Sequence, residues 1–407
     1  MKFFERKGDF SMLEDHNPKI STARTFGELL ENEMKSNPHF YFFSPDETTS
    51  NRLDAVYNVS ERAWSNLEIR ANDMKESKNG RIVELLSENT LFAVMLGHIL
   101  GGEPAIMTSY ESFFTIITSQ ILQYLKFLDQ SEKVSWRPEY PAVNLFSTST
   151  CWRQDHNGFS HQSPVLISTL LDRPGNKVNC FFPVDSTSAK AVFKYLQTSK
   201  NIVNLVTFNK TEEPQFLDEG HANFQFEAGA SIFGFVSDGN PFDLDAPENK
   251  FDFIFVSAGD IATREAVEAI KLLKYALPDL KIRLINILAL SHNKIGTVNQ
   301  PMSQELFDKY FKTDTPIISN FHGYKDTLKN ILGNYTDARR ISAHGFEEHG
   351  STTTPLEMLT LNHASRFDLA KDVAEKLKNI ELAQEYQKII DANRVHAYES
   401  GVDLIEL

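Results

Sequence analysis

The chain has 407 residues, of which 41% are hydrophobic, a size and proportion that indicate a globular protein of two or three domains. Its formal net charge is -14 and its lysines and arginines are scattered, which argues against a nucleic-acid-binding surface. The two cysteines, Cys151 and Cys180, lack the spacing of a zinc site or a disulfide framework, so we predict buried free thiols.

The first ten residues, MKFFERKGDF, carry charges and lack the apolar run of a signal peptide. No segment approaches the ~18 uninterrupted apolar residues of a membrane-spanning helix. We therefore expect a cytoplasmic protein that binds neither membranes nor nucleic acid.

An N-terminal extension at residues 1–21 is predicted to precede an α/β domain at residues 22–220. In this domain short apolar runs alternate with segments whose apolar residues recur every three or four positions, which is typical of a parallel sheet with helices on both faces. The predicted strands are FYFFS, RIVELLS, EPAIMTS, AVNLFST, VNCFFPV and IVNLVTF. The predicted helices are LFAVMLGHIL, ESFFTIITSQILQYLKFL, PVLISTLL and SAKAVFKYL.

Polar segments between about residues 212 and 250 predict a boundary, followed by a second α/β domain at residues 221–407. Its predicted strands are FDFIFVSAG, KIRLINILAL, TPIISNFH and ARRISAHGF, and its predicted helices include REAVEAIKLLKYAL and QELFDKYF. In TTTPLEM, Thr354 and Glu357 predict a capping box for a helix that begins at Pro355. An amphipathic helix is predicted from about Ile380.

Polar or aromatic residues follow several strands of the first predicted domain. Glu88 follows RIVELLS, where a carboxylate acts either as a helix cap or as a ligand-binding group at the carboxyl end of a sheet. Tyr110 and Phe113 follow EPAIMTS, and their spacing fits either core packing or contact with a flat ring. Ser50 and Arg52 follow the first strand, where they suit either phosphate binding or a surface ion pair.

The densest cluster is WRQDHNGFSHQ at residues 152–162, which follows AVNLFST. It combines two histidines, which transfer protons near neutral pH, with amides that hydrogen-bond to hydroxyl groups. Because four such clusters follow four strands of one domain, we expect them to form one site. The sequence therefore predicts binding of a small, hydroxyl-rich, phosphorylated molecule, with sugar phosphate chemistry as the leading class.

Seven segments resemble phosphoketolases in order and spacing: SPDETTSNRL, LLSEN, SYESF, WRQDHNGFSHQ, AGD, FHGY and GSTTTP. The resemblance runs from about residue 22 to the end and corresponds to the C-terminal half of a usual phosphoketolase, namely its pyrimidine-binding and transketolase-like C-terminal domains. It implies a carbon–carbon lyase that uses thiamine diphosphate and inorganic phosphate. Such an enzyme splits xylulose 5-phosphate or fructose 6-phosphate into acetyl phosphate, an aldose phosphate and water.

The same resemblance implies a partner. The domain that binds the diphosphate group through magnesium has no counterpart in the sequence. We therefore expect a separate subunit to supply that domain, a homo- or hetero-oligomer, and activity only in the complex. Thiamine enzymes hold this magnesium with a Gly-Asp-Gly motif followed some distance later by an asparagine. The segment SDGNPFD at residues 237–243 resembles that motif only superficially, since no predicted strand precedes it, so no metal ligand is expected in this chain.

Residue roles are implied position by position. Glu88 matches the carboxylate that hydrogen-bonds to the pyrimidine ring, and Tyr110 and Phe113 match residues that line it. His161 matches a histidine that faces the bound sugar in phosphoketolases. It is our first candidate for the residue that donates a proton when a hydroxyl group leaves as water. The implied catalytic residues are Glu88, Gln154, His156, Asn157 and His161. The implied substrate contacts are Ser50, Arg52, Tyr110, Gln154, Asn157, His161 and Lys210.

The sequence departs from phosphoketolases around Glu88. Asn89 replaces a histidine, and Phe92 and Leu96 replace carboxylates in the following helix. Three functions therefore remain open. The chain is a subunit of a split phosphoketolase, a subunit of a thiamine diphosphate enzyme for another ketose, or an inactive relative that binds sugar phosphate or a partner.

Overall fold

The computed structural model describes residues 18–63 and 76–405, so most of the predicted N-terminal extension lies outside the described residues. Within these ranges the strands form a ten-stranded sheet, a five-stranded sheet and a two-stranded pair. Helices cover both faces of the mixed, largely parallel sheets, which confirms the predicted α/β class. No helix in these ranges is long and apolar enough to cross a membrane.

The strands are β1 Lys19–Ser21, β2 Tyr41–Ser44, β3 Arg62–Ala63, β4 Glu76–Ser77, β5 Ile82–Glu84, β6 Ala105–Tyr110, β7 Val143–Thr148, β8 Val178–Phe181, β9 Val203–Thr207, β10 Glu212–Pro214, β11 Ala230–Ile232, β12 Phe253–Ala258, β13 Ile282–Ile287, β14 Ala289–Ser291, β15 Lys294–Ile295, β16 Ile317–Tyr324 and β17 Ile341–Phe346. The α-helices are α1 Thr22–Ser36, α2 Glu88–Leu100, α3 Thr118–Ser131, α4 Val165–Asp172, α5 Ser186–Leu196, α6 Glu219–Ala228, α7 Asp260–Ala276, α8 Gln304–Phe311, α9 Lys325–Gly333, α10 Pro355–Leu361, α11 Arg366–Lys376 and α12 Ile380–Ser400.

The ten-stranded sheet has the order β15-β14-β8-β9-β7-β6-β2-β5-β3-β4. Its six strands predicted from the first half of the sequence are all present. The neighbours β7, β6, β2 and β5 are mutually parallel, so their carboxyl ends lie at one edge of the sheet. The predicted helix ESFFTIITSQILQYLKFL begins instead as a 3-10 helix at Glu111–Ile117, and α3 follows it. The β-branched residues in TIIT disfavour a regular α-helix at this junction.

The five-stranded sheet has the order β11-β13-β12-β16-β17, in which β11 alone runs antiparallel to its neighbour. The segment predicted as one strand, KIRLINILAL, is divided between two sheets. Its first part is β13, whereas its last residues form β14, which pairs with β8 of the ten-stranded sheet. One cluster of buried apolar side chains also includes Leu145 of the first sheet and Ile254 of the second.

Helix α10 begins at Pro355 as predicted, but the predicted capping box is wrong. The hydroxyl of Thr354 donates to Asp403 Oδ1 at 2.5 Å, and Asp403 Oδ2 accepts the Leu356 N–H at 2.8 Å. Glu357 accepts a hydrogen bond from Arg394 Nε at 2.8 Å instead of reaching back to the cap. A carboxylate distant in sequence therefore accepts an N–H of the first helical turn, a role that the local pattern assigns to the Thr354 side chain.

Both cysteines are free and buried, as predicted. A buried ion network stabilises the second half of the chain. Glu265 on α7 accepts two hydrogen bonds from the Arg366 guanidinium, at 2.7 and 2.9 Å, and a third from the Arg366 backbone N–H at 2.9 Å. Arg264 Nε donates a further one at 3.1 Å. Burial opposes ionisation of Glu265, but the two guanidinium groups lower its pKa to about 2.

We expect Glu265→Gln to lower the free energy of unfolding by roughly 3–5 kcal/mol at pH 7, because it removes the carboxylate shared by two largely buried guanidinium groups, of which only Arg264 keeps a close second carboxylate, Glu213. Since the folded-state pKa is depressed, the contribution of Glu265 is present above about pH 4.5 and is lost as the pH falls towards 2. Urea denaturation at pH 7 and pH 3 measures both effects. The exposed carboxylate of Glu305 provides the control, since Glu305→Gln should change stability by less than about 0.5 kcal/mol.

Candidate active site

The four clusters of polar and aromatic residues noted in the sequence meet at one edge of the ten-stranded sheet. They follow β2, β5, β6 and β7, which are adjacent and parallel. Ligands of open α/β sheets bind at the carboxyl ends of the strands. We therefore regard this edge as the candidate active site.

Tyr110, at the end of β6, lies at the centre of the site. Its hydroxyl is 3.2 Å from Ser50 Oγ, and its ring stacks on Phe113 with centroids 5.9 Å apart and an interplanar angle of 9°. The His161 ring meets the Phe113 ring edge-on at 5.1 Å. The Lys210 ammonium lies 5.2 Å from the centroid of the Tyr110 ring. Five predicted residues thus form a continuous surface of two aromatic rings, an imidazole, a hydroxyl and a cation.

Two carboxyl groups lie beside this surface. Glu88 is the first residue of α2, but the cap is Ser87, whose Oγ accepts the Thr90 N–H at 3.5 Å. The half-buried Glu88 is therefore not the helix cap. The second carboxyl group is Glu47, whose Oε2 accepts the Tyr110 N–H at 3.0 Å. Burial, with a contribution from the negative charge of Glu88, raises the pKa of Glu47 to about 8, so Glu47 is mostly protonated at neutral pH.

The loop after β7 carries a second hydrogen-bonded group. Asn157 Nδ2 donates to Gln154 Oε1 at 2.6 Å and lies 3.3 Å from His156 Nε2. Gln154 is fully buried, and its Nε2 has no hydrogen-bond partner among the described residues. His156 and Asn157 are exposed. A buried amide donor without a partner indicates a position where a ligand or water oxygen is needed.

Arg52 lies on the exposed side of the site and has a positive φ of 63°. Its charge reaches Lys210, whose ammonium pKa is lowered by burial and by Arg52. All ten predicted site residues therefore lie on elements of the same sheet edge. The ring, imidazole and cation group around Tyr110 is in direct contact, whereas Gln154, His156 and Asn157 form a separate hydrogen-bonded group in the adjoining loop.

Comparison with known proteins identifies the family. Residues 24–199 match the family model described as D-xylulose 5-phosphate/D-fructose 6-phosphate phosphoketolase, and residues 210–407 match the model of its C-terminal domain. The chain belongs to the phosphoketolase family. A probable phosphoketolase from Thermosynechococcus vestitus is 34% identical over 95% of this chain and 48% of the relative. This phosphoketolase-family chain therefore spans about half the length of the curated relatives it matches.

Solved structures confirm a transketolase-like fold. A Pichia stipitis transketolase in complex with sedoheptulose 7-phosphate superposes with a TM-score of 0.65 at 14% identity, over 90% of this chain and 47% of the other. A split-gene transketolase, solved as an inactive β4 tetramer, gives a TM-score of 0.58 at 15% identity. That match covers 88% of this phosphoketolase-family chain and 99% of the split-gene chain. At these identities the likeness concerns the fold alone.

The residues of this phosphoketolase-family chain fit the pyrimidine ring of thiamine diphosphate. An aminopyrimidine needs a carboxylate for its ring nitrogen and an apolar surface for its face. Glu88 supplies a half-buried carboxylate, and the stacked pair Tyr110 and Phe113 supplies the surface.

A resemblance to the Gly-Asp-Gly metal motif in SDGNPFD does not fit the site. The Asp238 N–H donates to Ile282 O at the start of β13, which is the amino end of that strand. An open depression of about 620 Å³ lies there, lined by residues that include Asp238, Lys250 and Lys281. Ligands of open α/β sheets bind instead at the carboxyl ends of the strands. We assign this depression no role in the chemistry at the other sheet.

Three residues of the site were missed by sequence reasoning: Glu47, Glu111 and His322. Each lies inside a segment that resembles phosphoketolases, respectively SPDETTSNRL, SYESF and FHGY. The available signal was an ionisable residue within each motif. Glu111 and His322 are 211 residues apart in sequence, yet their side chains are 2.7 Å apart.

The second half of the chain forms one wall of the loop after β7. Gln162 Nε2 donates to Gln154 O at 2.8 Å and to Ser351 O at 3.2 Å, and the Thr353 N–H donates to Asp155 O at 3.0 Å. A Cβ on Gly350 would lie 2.2 Å from Gln162 Oε1, so this approach requires glycine.

We expect Gly350→Ala to displace Gln162, lower the free energy of unfolding by about 1–3 kcal/mol and increase amide hydrogen exchange at residues 154–162. Urea denaturation and exchange measured by mass spectrometry test these effects. Gly97→Ala is the control, because a Cβ there meets nothing within 4 Å and alanine favours the helix. Equal stability of the Gly350 variant and the wild type would contradict the tight contact.

Proposed function

We propose that this chain provides the pyrimidine-binding half of a thiamine diphosphate-dependent phosphoketolase. The reaction is cleavage of xylulose 5-phosphate or fructose 6-phosphate with inorganic phosphate to acetyl phosphate, an aldose phosphate and water. A separate polypeptide supplies the half that holds the diphosphate group and magnesium. The observation that carries the proposal is that Glu88, the Tyr110–Phe113 pair and the loop at residues 152–162 all follow neighbouring parallel strands at one sheet edge.

Glu88 and the aromatic pair hold the cofactor ring in this proposal. Thiamine diphosphate, when bound, supplies the carbanion chemistry that cleaves the ketose. The carboxylate of Glu88 accepts a hydrogen bond from the ring nitrogen, while Tyr110 and Phe113 fix the ring plane. Glu47 keeps its proton at neutral pH and therefore adds no negative charge beside Glu88.

The polar residues orient the sugar phosphate. Lys210 and Arg52 attract the phosphate group, and the Ser50 hydroxyl, which donates to the Glu47 carbonyl at 3.1 Å, would turn towards one of its oxygens. Gln154 Nε2 has no hydrogen-bond partner among the described residues, which supports a role in binding a substrate hydroxyl or carbonyl oxygen. His161 lies against Phe113 and is suited to donate the proton with which a hydroxyl group leaves as water.

The outer face of α2 supports the proposed partner. This helix begins at Glu88, and its exposed side is apolar, with Val94 and Leu100 exposed beside Ala93 and Gly97. Leu86, immediately before the helix, is 84% exposed. Exposed apolar patches of this kind mark protein–protein interfaces. We propose that the diphosphate-binding polypeptide covers this face, which brings its half of the cofactor site next to Glu88.

A related enzyme for another ketose is the second candidate, favoured by the surroundings of Glu88. Phe92 and Leu96 replace carboxylates of phosphoketolases, and Phe92 is fully buried in the core. The support beneath Glu88 is therefore apolar, which changes how the cofactor ring and the sugar are held. An inactive relative that binds sugar phosphate or a partner is the third candidate.

The test reconstitutes the enzyme. The purified chain is mixed with a candidate polypeptide carrying the Gly-Asp-Gly and asparagine motif, together with thiamine diphosphate, Mg²⁺, phosphate and fructose 6-phosphate or xylulose 5-phosphate. We expect a complex by size-exclusion chromatography and acetyl phosphate by the hydroxamate assay. Release of an aldose phosphate from another ketose would favour the second candidate. An intact complex without any product would overturn the proposed activity.

Val94→Glu tests the proposed docking face. A charge on the exposed side of α2 is expected to weaken the complex at least about tenfold without lowering the stability of the isolated chain. An unchanged affinity would place the partner elsewhere.

A further inference from the structure

The loop that carries the polar site residues is anchored in the second half of the chain. Its first residues, Cys151 and Trp152, are buried and pack with Ile261, Phe346 and other apolar residues of that half. The Trp152 ring meets the Phe346 ring edge-on, with centroids 5.5 Å apart. The position of the loop therefore depends on contacts across the boundary between the two sheets.

A buried, hydrogen-bonded carboxyl–imidazole pair crosses the same boundary. Glu111 Oε1 lies 2.7 Å from His322 Nε2, and the two side chains are only 2% and 1% exposed. The pair also holds the loop, because Glu111 Oε2 accepts the Cys151 N–H at 2.8 Å. Beside it, Trp152 Nε1 donates to the backbone carbonyl of His322 at 2.8 Å. Burial opposes protonation of His322, but Glu111, with a contribution from Asp260, raises its pKa.

Cys151, Glu111 and His322 are all residues that can bind a metal ion, and their ligand atoms lie within 4.8 Å of one another. The geometry favours a hydrogen-bonded pair with an adjacent thiol over a zinc site. Ligand atoms about 2.0–2.1 Å from a tetrahedral zinc ion lie roughly 3.3 Å apart, whereas the carboxylate and imidazole atoms are at hydrogen-bond distance, 2.7 Å. Burial and the nearby carboxylate also raise the pKa of the Cys151 thiol, which keeps it protonated.

Glu111 connects both parts of the candidate site. It directly follows Tyr110 and begins the 3-10 helix that carries Phe113. Through its side chain it holds the backbone of Cys151, where the polar loop begins. One carboxylate thus fixes the aromatic pair and the polar loop relative to each other, and His322 fixes that carboxylate.

We propose that Glu111 and His322 are positioning residues, which hold the loop at residues 152–162 in register with the Tyr110–Phe113 pair. The catalytic consequence rests on the proposed function, whereas the structural consequence does not. Without the pair, the loop loses the link that runs from the Cys151 N–H through Glu111 to His322, and keeps only its other contacts with the second half of the chain. Gln154 and His161 would then no longer keep a fixed distance from the aromatic surface.

Amide hydrogen exchange of the full chain tests the structural consequence without cofactor or partner. We expect Glu111→Leu and His322→Leu to speed exchange at residues 151–162 by about tenfold or more. Glu111→Gln, which keeps an acceptor for the Cys151 N–H, should restore most of the protection. The effects of Glu111→Leu and His322→Leu should not add in the double variant.

His344→Gln is the matched control. His344 on β17 also pairs with a carboxylate, Asp372 Oδ2 at 3.2 Å, and its other ring nitrogen lies 2.7 Å from the His363 carbonyl, so both nitrogens have partners outside the loop. It should leave exchange at residues 151–162 unchanged. If the leucine variants fail to fold, His322→Asn decides the question, because it should also speed exchange at residues 151–162. Wild-type exchange in this loop for every folded variant would overturn the inference.

The reconstituted enzyme provides the second readout. In His322→Asn we expect kcat to fall about tenfold, with a smaller change in the KM for inorganic phosphate, because the loop is displaced while the cations that bind phosphate remain. A wild-type enzyme without product would refute the proposed function and leave the exchange result standing. Faster exchange with unchanged kcat would refute the positioning role alone.

Discussion

Replacing Glu88 by alanine is expected to lower the rate of acetyl phosphate formation in the reconstituted enzyme by at least about a thousandfold. A positioned acid–base group contributes roughly 10²–10⁴-fold to a rate, and here it also holds the cofactor ring. Glu88→Gln should be nearly as slow, because an amide, unlike a carboxylate, cannot exchange a proton with the pyrimidine ring nitrogen. The measurement is kcat from the hydroxamate assay at saturating thiamine diphosphate.

Glu103→Ala provides the control for Glu88. Glu103 lies just before β6, at the opposite end of that strand from Tyr110, so its loss should change kcat by less than about twofold. A Glu88 variant that retains near-wild-type kcat would show that Glu88 does not perform the proposed proton chemistry. The neighbouring Glu47 would then be the next carboxyl group to replace.

Glu47→Gln is expected to stabilise the chain at pH 8 and above by on the order of 3 kcal/mol. The pKa of Glu47 rises from 4.5 to about 8 on folding, mainly because of burial. The folded state therefore binds the proton more tightly than the unfolded state, and wild-type stability falls as the pH rises from about 4.5 to 8. Glutamine is neutral throughout, so the variant should lack this decline.

Urea denaturation between pH 5 and 9 measures the difference. Glu219→Gln, a change at an exposed carboxylate of α6, should follow the wild-type curve. Parallel curves for Glu47→Gln and the wild type would mean that Glu47 ionises normally in the folded protein. Its role as the protonated neighbour of Glu88 would then be lost.

Much of the fold could be predicted from local patterns. Fully buried strands such as VNLFST stand out as short apolar runs, and the residues that follow them reach the carboxyl edge of the sheet without any knowledge of tertiary contacts. This is why Glu88, Tyr110 and His161 could be assigned to one site. The order of the strands, which makes the four clusters neighbours, depends on non-local pairing.

The errors share a cause in long-range contacts. KIRLINILAL reads as one strand because both of its parts are apolar, and only pairing with β8 separates the last residues. The predicted capping box at Thr354 does not form, because the Thr354 hydroxyl instead donates a hydrogen bond to Asp403, 49 residues away. The Glu111–His322 pair joins two motifs from different sheets, so no local pattern reveals it.

The division of KIRLINILAL between the two sheets also limits how the chain can be cut. Because β14 extends the ten-stranded sheet beyond β8, a fragment ending near residue 220 would leave the β8 backbone as an open edge. Open edges of buried, apolar strands invite association with other chains. The polar segment thus marks a boundary in the sequence but not between two independently folding units. We expect the first half of the chain to aggregate when it is expressed alone.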